Sequence, residues 1–316
     1  MIVSKEKFDE KDHAPVAFFI YNRPGHTKMT LEALAKNEGS SKTILYVFAD
    51  GPKASVDERG LKNIHEARAI IKKQKGFKDI ILLEQEHNQG LANSIISGVS
   101  MVLNKHGRVI VLEDDIVTSR YFLGFMNDSL DVYEKEENVI QVGACNFFAT
   151  GRSIPSTFFV HLPDCWGWAT WKDRWDLFEK DANLLLKKLR SDKLYMHRFN
   201  CFGVYDFESM LQDQVEGRVD SWAIRWQAVC VLNNKMILYP NPSLSNHIAS
   251  QDATHQSHDI LTKLATRPIK VRHKKVKGSP RIYRLMKLGY GNKDPYVIRI
   301  QKKIRSKFTT IIKKFK

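Results

Sequence analysis

Five short apolar runs in the first half of the chain set the strongest limit on its fold. They are PVAFFIY (Pro15 to Tyr21), TILYVFA (Thr43 to Ala49), DIILLE (Asp79 to Glu84), RVIVLE (Arg108 to Glu113) and VIQVG (Val139 to Gly143). Their length and their β-branched and aromatic content predict buried strands. Helical patterns lie between them, at about 25–36, 57–75, 91–105 and 119–136. In the second of these, Leu61, Ile64, His65, Ala67 and Ile71 are predicted to share one face. Such alternation predicts an α/β domain that is Rossmann-like, with a mostly parallel sheet and helices on both faces. At 316 residues and 43% hydrophobic content, the chain can bury that core.

In open sheets of this kind ligands bind at the carboxyl ends of the strands. Four motifs fall there by topology: YNRP (Tyr21 to Pro24), ADGP (Ala49 to Pro52), EHNQG (Glu86 to Gly90) and EDD (Glu113 to Asp115). The last raises a physical question. Three carboxylates at the mouth of a buried strand repel one another and need a positive partner. Their hard oxygens suit Mn²⁺ or Mg²⁺, which leave coordination positions to substrate phosphates. The plainer reading is a turn whose acids cap the next helix. On the pattern alone a metal–phosphate site is the expected reading, with a divalent cation as the missing partner.

Other motifs each carry two readings. Asn88 and Gly90 precede a helix, where a phosphate or sugar hydroxyl can bind, or they simply supply turn geometry. Arg23 can pair with a phosphate or stack on a base. DCWGWATWKDRW (Asp164 to Trp175) holds four of the six tryptophans; it can form a sugar platform or pack in the core. Asp220 in VDSW can act as a general base or cap a helix. His255, like His247 and His258, can ligate a metal. No G-x-G-x-x-G follows the first strand and no G-x-x-x-x-G-K-[ST] is present, which disfavours a Rossmann dehydrogenase and a P-loop enzyme.

The four cysteines have no C-x-x-C spacing and the N-terminal segment is polar, so a cytoplasmic protein is expected. No stretch is apolar for the ~18 residues that a membrane span needs. The net charge of +15 resides at one end. From Arg267 to Lys316 there are 18 Lys and Arg against a single acid, Asp294. Within it, Val297, Ile300, Ile304, Phe308, Ile311 and Phe315 recur at steps of three or four, which predicts a basic amphipathic helix suited to an anionic membrane surface. A helix packed on the body and a nucleic-acid-binding arm are the other readings. The expected organisation is an N-terminal extension (1–12), a catalytic domain (13–260) and a basic C-terminal segment with that helix (261–316).

In their order, FFIYNRP, YVFADGP, EHNQGLANSI, VIVLEDDIV, CWGWATW and VDSWAIRW resemble the GT-A class of nucleotide-sugar glycosyltransferases. The chain is similar to N-acetylglucosaminyltransferase I and to bacterial family 2-like sugar transferases, over roughly Pro15 to His255. The resemblance implies a metal-dependent inverting transferase that moves a hexosyl or N-acetylhexosaminyl group from a UDP-sugar to a glycan or lipid-linked glycan hydroxyl. It further implies a role in bacterial surface polysaccharide or lipopolysaccharide assembly, at the inner face of the cell membrane, with no nucleic-acid partner. Arg23 would contact the nucleotide and Asp50 the uracil. Glu113 and Asp114 would hold the donor sugar and ribose, and Asp115 the metal. Asn88, Trp166 and Trp168 would shape the donor pocket. Asp220 would be the base, although the family pattern has two adjacent aspartates where this chain has Asp220 and Ser221. His255 as a second metal ligand is an analogy to other GT-A enzymes. A sugar-phosphate nucleotidyltransferase is the alternative enzyme, and a nucleic-acid-binding protein using the basic tail is the non-enzyme alternative.

Overall fold

In a computed structural model, the chain is described for residues 13–146, 154–203, 205–248 and 263–291. The first half runs β1 (Val16–Ile20), α1 (Pro24–Ala35), β2 (Ile44–Ala49), α2 (Glu58–Lys73), β3 (Asp79–Glu84), α3 (Leu91–His106), β4 (Arg108–Glu113), β5 (Ile116–Thr118), α4 (Phe122–Val132) and β6 (Val139–Gly143). The second half runs β7 (Thr157–Val160), β8 (Trp168–Trp171), α5 (Lys172–Trp175), α6 (Ala182–Arg190), α7 (Lys193–Phe199), α8 (Phe207–Val215), α9 (Trp222–Leu232), β9 (Met236–Pro240), β10 (Ser245–His247) and α10 (Pro280–Gly291).

Eight strands form one sheet in the order β3-β2-β1-β4-β8-β6-β9-β7. β8 and β7 run against the other six, so the sheet is mostly parallel. This is the expected Rossmann-like α/β class, a mostly parallel sheet with helices on both faces. Every residue of β1 is buried because both faces of the sheet are covered. Ala17 and Phe19 pack with α3, α6 and α9 on one face; Val16, Phe18 and Ile20 pack with α1, α2 and α4 on the other. The strand period of two thus divides one apolar run between two cores.

Local chemistry starts the helices where the sequence predicts. Pro24 opens α1 at a position needing no backbone N–H. The Asp57 carboxylate caps α2 by accepting from the Gly60 N–H at 2.8 Å. The α2 face differs from the expected one: Ile64, Ala67 and Ile71 are buried, whereas His65 is exposed and Leu61 is 37% exposed. The inward stripe is narrower than the apolar pattern, since α2 lies at the sheet's rim over β2 and β3.

The unpredicted strands are β5, β7, β8, β9 and β10, and β5 is the one beside the acids. Right after the acids, residues 116–118 pair antiparallel with β10 as a two-stranded ribbon. Among the described residues no helix is long and apolar enough to cross a membrane. The N-terminal extension, the predicted helix at 296–316 and His255 lie outside the described residues.

Candidate active site

The loops after β1, β2, β3 and β4 meet at the carboxyl edge of the sheet, as the topology requires. There the three acids already have a positive partner. Arg23 Nη1 donates to Asp115 Oδ2 at 2.9 Å, and Nη2 donates to Asp114 Oδ1. His247 adds a second contact, with Nε2 3.3 Å from Asp115 Oδ2. The sequence leads to a divalent cation as the expected partner of these acids; in the structure the guanidinium at the end of the neighbouring strand takes that place. β1 and β4 are adjacent and parallel, with Phe19 opposite Glu113, so Arg23 necessarily lies beside the acids.

The ribbon delivers His247. Its register sets His247 opposite Ile116, and the Ile248 N–H donates to the Asp115 carbonyl at 2.7 Å. The imidazole stacks on Trp166, with ring centroids 5.1 Å apart.

Electrostatics divide the carboxyls. Burial pushes Glu113 up to about 8, helped by the charges of Asp115 and Asp114. Burial raises Asp114 to about 7 against the pull of Arg23. Asp115 is held below the ordinary carboxylate range: burial works upward, but the hydrogen bond from His247 and the charge of Arg23 outweigh it. At neutral pH Asp115, between Arg23 and His247, is thus the fully ionised acid, while Asp114 is about half-ionised and Glu113 mostly protonated. Asp114 Oδ2 is buried with no hydrogen-bond partner among the described residues.

A fourth carboxyl joins this group and was not singled out from sequence. Burial pushes Asp164 up to about 7, and its charge acts on Glu113. Its Oδ1 accepts from the Trp166 N–H at 3.2 Å. Its only sequence signal was its place at the head of the tryptophan segment. Antiparallel pairing of β8 with β4, with Trp168 opposite Val111, carries that head to the acids.

Asp50 and Asn88 come together, but with each other. Asp50 Oδ1 accepts from the N–H groups of Gly51 and Gln89, both at 2.8 Å. Oδ2 accepts from the Asn88 amide at 2.9 Å and the Gly90 N–H at 3.1 Å. The Asn88 amide also donates to the Gly51 carbonyl at 2.9 Å. These bonds lock the 86–90 loop onto the end of β2, and a uracil contact would have to displace one of them. The approach is close enough that a Cβ at Gly51 would sit 2.5 Å from the His87 carbonyl carbon. Gly90, at φ +78°, supplies the left-handed turn that opens α3.

The tryptophans divide. Trp168 is fully buried, stacked on Trp222 at 5.1 Å and 5.6 Å from Trp175, so it belongs to the core. Trp166 is half-buried and faces His247. Any sugar-facing role of CWGW therefore falls to Trp166. Asp220 precedes α9, whose first residue, Trp222, packs on Trp168 at the same edge of the sheet. Its side chain is 55% exposed and accepts from Arg225 Nη2 at 2.9 Å. The capping role belongs to Ser221, whose hydroxyl accepts from the Ile224 N–H at 3.3 Å.

The residues that could hold a divalent ion are Asp115 and His247. Asp115 and His247 offer one oxygen and one nitrogen ligand on adjoining elements, and the orphaned Asp114 oxygen adds negative charge beside them. Among the described residues no three His, Cys, Asp or Glu side chains form a metal-binding group. Mg²⁺-type sites commonly have one or two protein ligands, with substrate phosphates completing the shell.

No known protein family matches the chain, and no curated protein does. Among solved structures, the chain is similar to S. aureus TarS, at 12% identity and a TM-score of 0.38, over 75% of this chain and 37% of that one. The chain thus spans little more than a third of TarS.

Proposed function

We propose that the chain is a metal-dependent inverting glycosyltransferase that moves a sugar from a UDP-sugar to a hydroxyl of a glycan or lipid-linked glycan. The observation carrying this reading is the Arg23 bridge to Asp114 and Asp115 at the carboxyl edge of the sheet. A guanidinium on two carboxylates is an exchangeable pair: a diphosphate can take the cation, and a divalent ion can take the carboxylates.

In this reading Arg23 turns to the nucleotide diphosphate, and Asp115 with His247 holds Mn²⁺ or Mg²⁺. The ion, when bound, neutralises charge on the departing diphosphate. Glu113, protonated at neutral pH, can donate a hydrogen bond to a donor sugar or ribose oxygen, with Asp114 beside it. Trp166 supplies an apolar face for a sugar ring. Asp220, oriented by Arg225, takes the acceptor's proton as its oxygen attacks the anomeric carbon. One displacement inverts that centre. The basic C-terminal region supports work at the inner face of the cell membrane, in surface polysaccharide assembly.

The test is a panel of nucleotide sugars with Mn²⁺ or EDTA, using wild type and Asp115→Asn. Wild type should release UDP from one donor only with metal, and Asp115→Asn should lose roughly 100-fold or more while keeping its fold. Equal turnover by the variant would sink the assignment.

A further inference from the structure

Residues 263–278 form an extended strap around the β7 edge of the sheet. Ala265, Ile269 and Val271 pack into one core, while Arg267, Lys270 and Arg272 between and beside them are exposed. The strap bridges to the body at Leu264 with Ser243 and at Gly278 with Phe159. α10 then packs Ile282 and Met286 into the core on the opposite face. The start of the basic segment is thus part of the body.

Its charge is unbalanced. From Lys263 to Gly291 there are ten Lys and Arg and no Asp or Glu. Elsewhere most of the arginines meet an acid: Arg68, Arg108, Arg174, Arg190, Arg218 and Arg225 each face a carboxylate, while Arg198 faces the Asn234 side chain. Arg267, Lys270, Arg272 and Lys274 face none among the described residues. These four line one cavity of about 650 Å³, together with Ser156, Thr266 and the Asn241–Pro242 turn. Lys274 is fixed there, donating from Nζ to the Thr157 carbonyl at 3.1 Å and hydroxyl at 2.9 Å. An ammonium has three N–H donors, so one remains. Four cations around one cavity repel one another, less where water screens them, and an anion between them relieves that repulsion.

Position narrows the ligand. The Asn241–Pro242 turn follows β9 and leads into β10 and His247, on the same edge of the sheet as Arg23 and Asp115. β4 and β7 are four strand spacings apart, roughly 19 Å. A diphosphate at Asp115 does not fill the cavity; a long anionic molecule crossing the edge could. Two guanidiniums and two ammoniums suit phosphate oxygens, which accept bidentate Arg contacts.

We propose that this cavity is a second anion site that takes a phosphate group of the acceptor. Assigning the phosphate to the acceptor rests on the transferase reading above; the phosphate site itself does not.

The test is calorimetric titration of the full chain with inorganic pyrophosphate in EDTA, comparing wild type with Arg267→Gln/Arg272→Gln. Both side chains are exposed, and thermal melting confirms the fold. Wild type should bind pyrophosphate in a salt-sensitive way, and the double variant should bind about ten-fold or more weakly. Binding of UDP with Mn²⁺ should be equal in both. No binding by wild type, or equal pyrophosphate binding by the variant, overturns the proposal. Co-sedimentation with phosphatidylglycerol vesicles separates the sources. Loss of both pyrophosphate and vesicle binding makes the phosphate a lipid headgroup; loss of pyrophosphate binding alone makes it a group on a soluble acceptor. Loss of vesicle binding alone overturns the site in favour of a diffuse membrane contact. If wild type binds pyrophosphate but not UDP with Mn²⁺, the transferase reading fails and the phosphate site stands.

Discussion

Arg23 and Asp115 lie 92 residues apart in the chain and meet at 2.9 Å, guanidinium to carboxylate. The contact exists because β1 and β4 are parallel neighbours whose carboxyl ends coincide. It holds the acid cluster together, and it occupies groups that the proposed donor and metal would use.

Replacing Arg23 with Gln removes the fixed counter-charge of Asp114 and Asp115. Because the arginine is 30% exposed, the loss should be roughly 1–3 kcal/mol at pH 7, less than for a fully buried pair. Urea denaturation of the ligand-free chain measures it. The same variant should bind Mn²⁺ more tightly than wild type without UDP, since no cation competes for Asp115. In wild type, UDP should raise Mn²⁺ affinity by drawing Arg23 away. Indifference of Mn²⁺ binding to both changes would separate Arg23 from any metal site.

Asp50→Ala should act through the loop it holds. Three backbone N–H groups lose their acceptor, and the Asn88 amide keeps only the Gly51 carbonyl. A stability loss of about 2–4 kcal/mol is expected, together with weaker UDP binding. A variant that loses UDP binding with an unchanged melting temperature would instead mark Asp50 as a direct nucleotide contact.

The two tryptophans of CWGW should behave oppositely. Trp168→Ala empties a fully buried site against Trp222 and should cost about 3–5 kcal/mol. Trp166→Ala should leave the melting temperature within a few degrees of wild type and weaken donor or acceptor binding. Comparable destabilisation by both would remove Trp166 from the site.

Asp164 gives a pH dependence. Its carboxyl is pushed up to about 7 in the fold, against an ordinary 3.8. Between those values the folded chain holds a proton that the unfolded chain has lost. Stability therefore falls as pH rises from about 4 to 7, by on the order of 4 kcal/mol from this group, and is flat above. Metal-free melts of wild type at pH 5 and pH 8 should differ more than those of Asp164→Asn, which cannot ionise. Parallel profiles would show that Asp164 does not carry the slope.

The sequence by itself determined five of the eight strands of the sheet. Continuous apolar runs such as VAFFI and VIVL need cover on both faces, and helical patterns between them supply it, so the carboxyl-edge motifs followed from chain order alone. It also placed Arg23, Asp50, Asn88 and the acids on that edge, because each follows its strand directly. Tertiary structure decided which of them meet. Arg23 pairs with Asp114 and Asp115 because β1 lies beside β4. Asp50 binds the 86–90 loop because β2 lies beside β3. Asp164 and His247 reach the acids only through β8 and β10, which pair antiparallel with strands distant in sequence. Local composition reports what a residue can do, but partner choice depends on strand order, which is set by the packing of the whole sheet.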